Sequence, residues 1–294
     1  MANMLFTPIP RMLKDIISEI DNGKLGLPEL QRGYVWKSTK VRDLLDSMMK
    51  GYPIGYLMIW DSSDSMDKVK PIGLESKPFA SPKSLIIDGQ QRMTSLYAVM
   101  RHKEVMNDKY VKKFINVSFN PLKRVFEVGD NSTKNSAEWI YDISDVFLNE
   151  TNSFGYINKY VSQLEESKIQ SGEVLLDQEK QTIQQNITDL LSLNNYSIPT
   201  LEINGSADEE SVADIFVRVN SSGESLGEDD FILTLISVYW PEGRKKIEEF
   251  CKSAKIPKEN TPYNPIFQPS PTHIIRMTMS YGFQRQGCAM LICS

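Results

Sequence analysis

The chain has 294 residues, 40% of them hydrophobic, enough for one large domain or two modest ones. Its formal net charge is −5, which argues against a globally basic nucleic-acid surface and leaves a local basic groove as the electrostatic route to DNA. No apolar stretch approaches the ~18–20 residues of a membrane span, and the start, Met1-Ala-Asn-Met-Leu-Phe-Thr-Pro8, lacks the basic head and apolar core of a secretory signal. Cys251, Cys288 and Cys293 are odd in number and late in the chain, so no membrane contact and a reducing, cytoplasmic setting are expected. With His102 and His273 as the imidazoles, their spacing departs from that of zinc sites.

Residues 11–21 read as a first amphipathic helix, with Met12, Ile16 and Ile20 on one face and Asn22-Gly23 as its stop. Leu27 to Trp36 is extended and carries Gln31, Arg32, Tyr34 and Trp36. Ser38 or Thr39 caps a second helix whose apolar face is Val41, Leu44, Leu45, Met48 and Met49, and Gly51 ends it. Pro53 to Trp60 reads as a strand closing at Asp61, and residues 62–82 as an exposed loop. Leu85, Ile86 and Ile87 form an unbroken apolar run that suits a buried strand. Met93, Leu96, Tyr97 and Met100 then recur at i, i+3, i+4 and i+7, the spacing of one helix face.

Phe114–Phe119 and Arg124–Val128 flank Asn120-Pro-Leu-Lys123, a hairpin signal. Residues 101–124 hold seven Lys or Arg against two acids, a local excess of +5. Two readings stand: lysines protecting a sheet edge, or DNA phosphate tracking by Lys109, Lys112, Lys113, Lys123 and Arg124. Residues 137–194 are mostly helical in character, and Tyr196–Ile203 alternates like a strand. A helix runs from the acidic Asp208-Glu-Glu210 to the break at Asn220-Ser-Ser-Gly223. An apolar helix over 228–240 and a charged one over 243–255 follow. Beyond Pro257 the prolines multiply and periodicity fades, and the tail from Gln284 to Ser294 shows no organisation.

The chain has no Gly-x-x-x-x-Gly-Lys-Ser/Thr loop, no His-Glu-x-x-His and no Gly-x-Ser-x-Gly. Three polar clusters remain: Asp88-Gly-Gln-Gln-Arg92, Gln31-Arg32, and Arg218 with Asn220 beside Gly223. Each pairs a forked cation with amide side chains, a set suited to phosphate, ribose or a base edge. The first sits on a strand-to-helix turn, where unpaired N–H groups and the helix dipole favour an anion. Asp88 has two readings there, a ligand for Mg²⁺ or water and a simple helix cap.

Four motifs occur in order: Gln31-Arg32-Gly-Tyr34-Val-Trp36; Leu44-Leu-Asp-Ser47 with Gly51-Tyr-Pro53-Ile-Gly55; Asp88–Arg92 followed by Thr94-Ser-Leu96; and Phe216-Val-Arg218-Val-Asn220-Ser-Ser-Gly223 with Leu226. On these the chain resembles, over roughly residues 8–240, the N-terminal domain family of GmrSD-type modification-dependent restriction endonucleases. The resemblance implies an α+β fold: a ParB/sulfiredoxin-like mixed sheet-and-helix core over 1–240, with a helical insertion at about 137–194. After it the resemblance implies a short, largely helical segment over 241–294, expected to be incomplete relative to longer relatives. It further implies a domain that binds and hydrolyses a nucleoside triphosphate with Mg²⁺ or another divalent cation, and senses modified DNA in phage restriction.

On that reading Arg92 and the amides of Gly89, Gln90 and Gln91 hold phosphates, and Asp88 binds the metal or orients the attacking water. Gln31, Arg32, Arg218 and Asn220 complete the pocket, and Asp88, Gln91 and Arg92 are the expected catalytic residues. The expected partners are the nucleotide, modified duplex DNA, a nuclease subunit or domain, and a second copy of the chain. Cleavage in such relatives belongs to a His-Me finger module. Neither His102, expected to meet carbonyls or solvent at a helix end, nor His273 has the company such a nuclease base needs. The alternative reading is a non-enzymatic DNA-binding regulator of ParB-like type.

Overall fold

A computed structural model describes residues 4–27, 34, 36–61, 82–106, 112–207, 209–220, 232–233, 235–236 and 240–283. The described strands are β1 (Phe6–Met12), β2 (Leu25–Gly26), β3 (Leu57–Asp61), β4 (Ser84–Asp88), β5 (Val105–Met106), β6 (Lys112–Lys113), β7 (Val117–Asn120), β8 (Val125–Val128) and β9 (Ser197–Ile203). Five of them form a mixed sheet in the order β1-β9-β3-β4-β2. The β1/β9 and β3/β4 pairs are antiparallel, and β9/β3 and β4/β2 are parallel. Strands β5/β6 and β7/β8 make two separate hairpin ladders.

The described helices are α1 (Leu13–Asp21), α2 (Ser38–Met49), α3 (Gln90–Arg101), α4 (Asn131–Lys134), α5 (Ser144–Leu148), α6 (Ser153–Gln170), α7 (Asp177–Ser192), α8 (Glu209–Asn220), α9 (Pro241–Ser253) and α10 (Pro271–Phe283). The chain is thus mixed α+β with a helical C-terminal part, as expected. Among the described residues no helix is long and apolar enough to cross a membrane.

The alternation of a strand explains how β4 organises this frame. Ile86 joins the larger core with Leu57, Ile59, Met93, Leu96 and the buried faces of α1, α2, α6 and α7. Leu85 and Ile87 point the other way, into a second cluster with Trp60, Ile203, Val212 and Phe216. An apolar run with no polar alternation is what a strand covered on both faces requires, and full burial of each such side chain contributes about 1.5–3 kcal/mol. Helix α3 leaves β4 directly and is buried on nearly every side, Thr94 and Ser95 included, so its apolar spacing understates its burial. A helix enclosed all round is a core element rather than a surface one.

Several boundaries differ from the sequence expectation. Arg11 and Met12, expected to open the first helix, instead end a strand over 6–12 that pairs with β9, so Met12 is exposed on the strand and the helix buries Leu13, Ile16 and Ile17. The ladder explains the prolines there. The backbone of Leu5 accepts from Asn204 N at 3.0 Å and Leu13 N donates to Tyr196 O at 2.9 Å, which turns the odd residues of β1 toward β9. Pro8 and Pro10 therefore occupy outward positions where no N–H is needed, and they deprive the free edge of donors for another strand.

Lys37, not Ser38 or Thr39, is the N-cap of α2, and no side chain caps it. Strand β3 starts at Leu57, four residues after Pro53. Helix α10 forms where periodicity had faded; a helix of 13 residues starting on Pro271 has its first φ preset by the proline. Of the apolar helix expected over 228–240, residues 232, 233, 235 and 236 are described and helical. The loop expected over 62–82 lies, apart from residue 82, outside the described residues, as does the tail from Gln284.

Candidate functional site

The turn from β4 to α3 is left-handed at Gly89, with φ +85° and ψ 11°, and this residue is the helix N-cap. No side chain caps the helix, so Asp88 does not act as the simple cap that sequence allows. Its carboxylate instead lies 3.4 Å from Arg92 Nη2, one helical turn on and partly exposed. A Cβ at position 89 would stand 3.0 Å from Leu57 Cδ1 and 3.1 Å from Arg92 Nη2. Only glycine suits both the backbone conformation and the space.

Arg92 is committed to backbone. Its Nη1 donates to Ile54 O, and its Nη2 donates to Tyr56 O at 2.6 Å. Residues 53–56 are held by this fork rather than by a neighbouring strand, which is why β3 begins only at Leu57. Burial pulls the guanidinium pKa down from its ordinary value, and the nearby Asp88 carboxylate opposes that pull. Of the five guanidinium N–H groups, the Nε–H and one on Nη1 are left for other work.

Three buried acceptors gather on the first turns of α3. Gln90 is 5% exposed; its Nε2 donates to Ile86 O at 2.7 Å, which fixes the amide orientation and leaves Oε1 without a partner. Gln91 Oε1 and Thr94 Oγ1 are likewise buried and unpartnered. Among the described residues six buried side-chain N or O atoms lack a hydrogen bond, and these are three of them. Positions 90, 91 and 94 are neighbours on one helix surface. An orphaned buried polar atom costs about 1–3 kcal/mol, so three within five residues mark a place where folding gives way to another requirement.

The second described link joins Tyr34 to the same helix. Tyr34 OH lies 2.7 Å from Ser95 Oγ, and Ser95 Oγ donates to Gln91 O at 2.7 Å, so the tyrosine is the donor in the first contact. Gln31 and Arg32 themselves lie outside the described residues. Helix α8 reaches β4 through Val212 and Phe216. Arg218, exposed near its end, donates from Nε to Asp214 Oδ1 at 2.9 Å, and Asn220 is the last residue of that helix.

The basic strip is built on different terms. Lys109 lies outside the described residues. Lys112 stands 3.9 Å from Glu104, and Lys113 lies over the Tyr34 ring at 5.9 Å. Lys123 meets Glu138 at 3.0 Å and Arg124 meets Asp189 at 2.5 Å. Two acids distant in sequence, Glu138 and Asp189, thus offset part of the +5 counted along the chain, in which Glu104 is already included.

The two histidines are engaged as well. His102 stacks on Phe114, with centroids 4.3 Å apart, and its Nδ1 lies 3.1 Å from Ser144 Oγ and 3.2 Å from Asp142 Oδ2; the side chain stays exposed to solvent, as expected, while its partners are side chains rather than carbonyls. His273 Nδ1 accepts from Ser270 N at 3.1 Å. No group of three or more His, Cys, Asp or Glu is placed to hold a metal among the described residues.

What sequence reasoning missed at the site is Gly55, with the carbonyls on either side of it, and Thr94. Both stand in motifs already noted, Pro53-Ile-Gly55 and Thr94-Ser-Leu96, but a backbone carbonyl and a hydroxyl carry no signal of their own until the fold places them.

The family model described as the GmrSD restriction endonuclease N-terminal domain matches residues 13–237. The chain is also similar to an uncharacterized protein of Methanocaldococcus jannaschii, at 23% identity over 265 residues. That alignment covers 83% of this chain and 44% of the archaeal protein, so the chain spans less than half of that relative's length.

Proposed function

The chain belongs to the GmrSD restriction endonuclease N-terminal domain family, and on that premise we propose that it is the nucleotide-responsive part of a restriction system. In this reading it binds and hydrolyses a nucleoside triphosphate while sensing modified phage DNA. The observation that carries it is the gathering of orphaned acceptors at Gln90, Gln91 and Thr94 beside an uncapped helix start.

A nucleotide has the matching halves. Its phosphates suit the N–H groups and positive dipole end of α3. Its ribose hydroxyls, base amines and ordered water supply the donors that the orphaned oxygens lack. Asp88, with one carboxylate partly open to solvent, fits a Mg²⁺ that takes one protein ligand and completes its shell with phosphate and water. Once bound, that ion neutralises phosphate charge. Gln91 Oε1 can accept from and orient the attacking water, and Arg92 adds fixed positive charge. Rate enhancement on these terms comes from positioning and preorganised charge.

DNA cleavage is assigned to a separate module, in cis or on a partner, because both histidines are engaged by side-chain or backbone partners and, among the described residues, neither has a neighbouring metal set. Titration calorimetry with each nucleoside triphosphate, with and without Mg²⁺, tests the binding half, and phosphate release tests the turnover half. Binding and Mg²⁺-dependent release are expected, with modified duplex DNA left uncut by the pure chain. Absence of binding to any triphosphate would remove the reading. If steeply salt-dependent duplex binding took its place, the non-enzymatic regulator would be favoured.

A further inference from the structure

The Arg92 guanidinium forks across Gly55, since Nη1 donates to the carbonyl before that glycine and Nη2 to the carbonyl after it. Gly55 has φ +90°, and a Cβ there would lie 2.6 Å from Nη1. On another side stands Gly89, also at positive φ, where a Cβ would come within 3.1 Å of Nη2. Two left-handed glycines from separate motifs therefore make room for one guanidinium. Asp88 Oδ2 adds a third acceptor at 3.4 Å.

We propose that Gly55 is a positioning residue of the nucleotide site, acting through Arg92. The inference rests on the nucleotide reading and adds a residue to it. A free arginine side chain loses much of its rotamer freedom when it grips a ligand. Here that loss has already occurred on folding, because two carbonyls at fork spacing hold the planar group. What remains is a cation fixed beside the start of α3, with Nε–H and one Nη1–H available to a phosphate oxygen. A lysine has one nitrogen and cannot bridge two carbonyls in this way. Gly55 allows the close approach: any side chain there displaces Nη1.

A double-mutant cycle tests this, with inorganic tripolyphosphate and ATP as probes in titration calorimetry and urea unfolding as the check on fold. Wild type is expected to bind both probes. Gly55→Ala should weaken tripolyphosphate binding about tenfold, the lower end for a charge-assisted contact. Arg92→Ala should weaken it at least as much, and Gly55→Ala should then cost nothing further in the Arg92→Ala background, since its effect runs through the missing guanidinium. Additive losses, or an unchanged affinity in Gly55→Ala, would overturn the proposal. Should Gly55→Ala fail to fold, Arg92→Lys serves instead: loss of tripolyphosphate affinity in a folded variant supports the fork, and retained affinity overturns it. A wild type that binds neither probe removes the nucleotide reading itself, an outcome distinct from binding that ignores Gly55.

Discussion

Helix α3 carries polar chemistry at both ends, and the two ends are built on opposite terms. At its head three buried oxygens lack partners and the start of the helix is uncapped by any side chain. At its tail the polar groups are matched. Asp21 accepts from Tyr97 OH at 3.0 Å and from Arg101 Nε at 2.8 Å, and burial together with that acceptor raises the Tyr97 phenol pKa to about 12. His102 takes the left-handed C-cap at φ 49° and rests on Phe114. The basic strip that follows meets Glu104, Glu138 and Asp189. Both ends look rich in function when residues are counted along the chain. Counting partners separates them, because a charge already matched contributes little to binding, whereas an unmatched buried group contributes cost until a ligand arrives.

The sharpest way to break this contrast is Arg92→Ala. It removes two charge-assisted bonds to carbonyls and the fixed cation at once, so stability should fall by about 2–4 kcal/mol and triphosphate binding by ten- to a hundredfold. Urea unfolding and calorimetry read the two losses separately; a variant as stable as wild type would show that the fork to residues 54 and 56 holds nothing. Asp88→Asn is next. The amide keeps the size but loses the charge that a divalent ion needs, so phosphate release should drop far more than nucleotide affinity. Equal turnover with an unchanged Mg²⁺ requirement would remove Asp88 from the site.

Thr94→Val sharpens the comparison by its sign. Its hydroxyl is 0% exposed and has no partner, so the apolar replacement of similar shape should stabilise the fold by about 1 kcal/mol. The same change should weaken nucleotide binding severalfold, the exchange of function for stability that a ligand-facing orphan implies. A loss of stability in thermal unfolding would mean that the hydroxyl has a structural partner after all.

How much of this was legible in the sequence follows the range of the interactions involved. The β4–α3 unit could be read directly, because Leu85–Ile87 and the i, i+3, i+4, i+7 run are local patterns. So were α6, α7, β9 and α8 in outline. Strand β1 was not legible: nothing between Phe6 and Met12 alternates, and the segment is extended because β9, nearly two hundred residues later, pairs with it. Asp88, Gly89, Gln90, Gln91 and Arg92 were visible as a polar cluster, but the use Arg92 makes of two backbone carbonyls was not. Carbonyls are everywhere in a chain, and only the fold selects Ile54 and Tyr56. The partners of the basic strip were hidden for the same reason, since Glu138 and Asp189 lie well outside the counted window.

The smallest expected effect tests the tail of the comparison. If Lys123 and Arg124 are quiet because Glu138 and Asp189 face them, neutralising those acids should expose cations that duplex DNA can use. The double variant Glu138→Gln, Asp189→Asn should cost only about 0.2–1 kcal/mol per pair, the range for exposed ion pairs. Its binding to plain duplex should strengthen and grow more salt-dependent, with the logarithmic slope steeper by about one to two as phosphate contacts are added. The hydrogen bond from Lys123 is the main cause that pulls the Glu138 pKa below its ordinary value, with burial opposing it. The pair's contribution is therefore full above the ordinary carboxylate range and is lost as pH falls through the lowered folded value. The stability gap between wild type and Glu138→Gln should accordingly close on acidification. A duplex slope that does not move in the double variant would mean that the strip is silent for want of geometry, not for want of free charge.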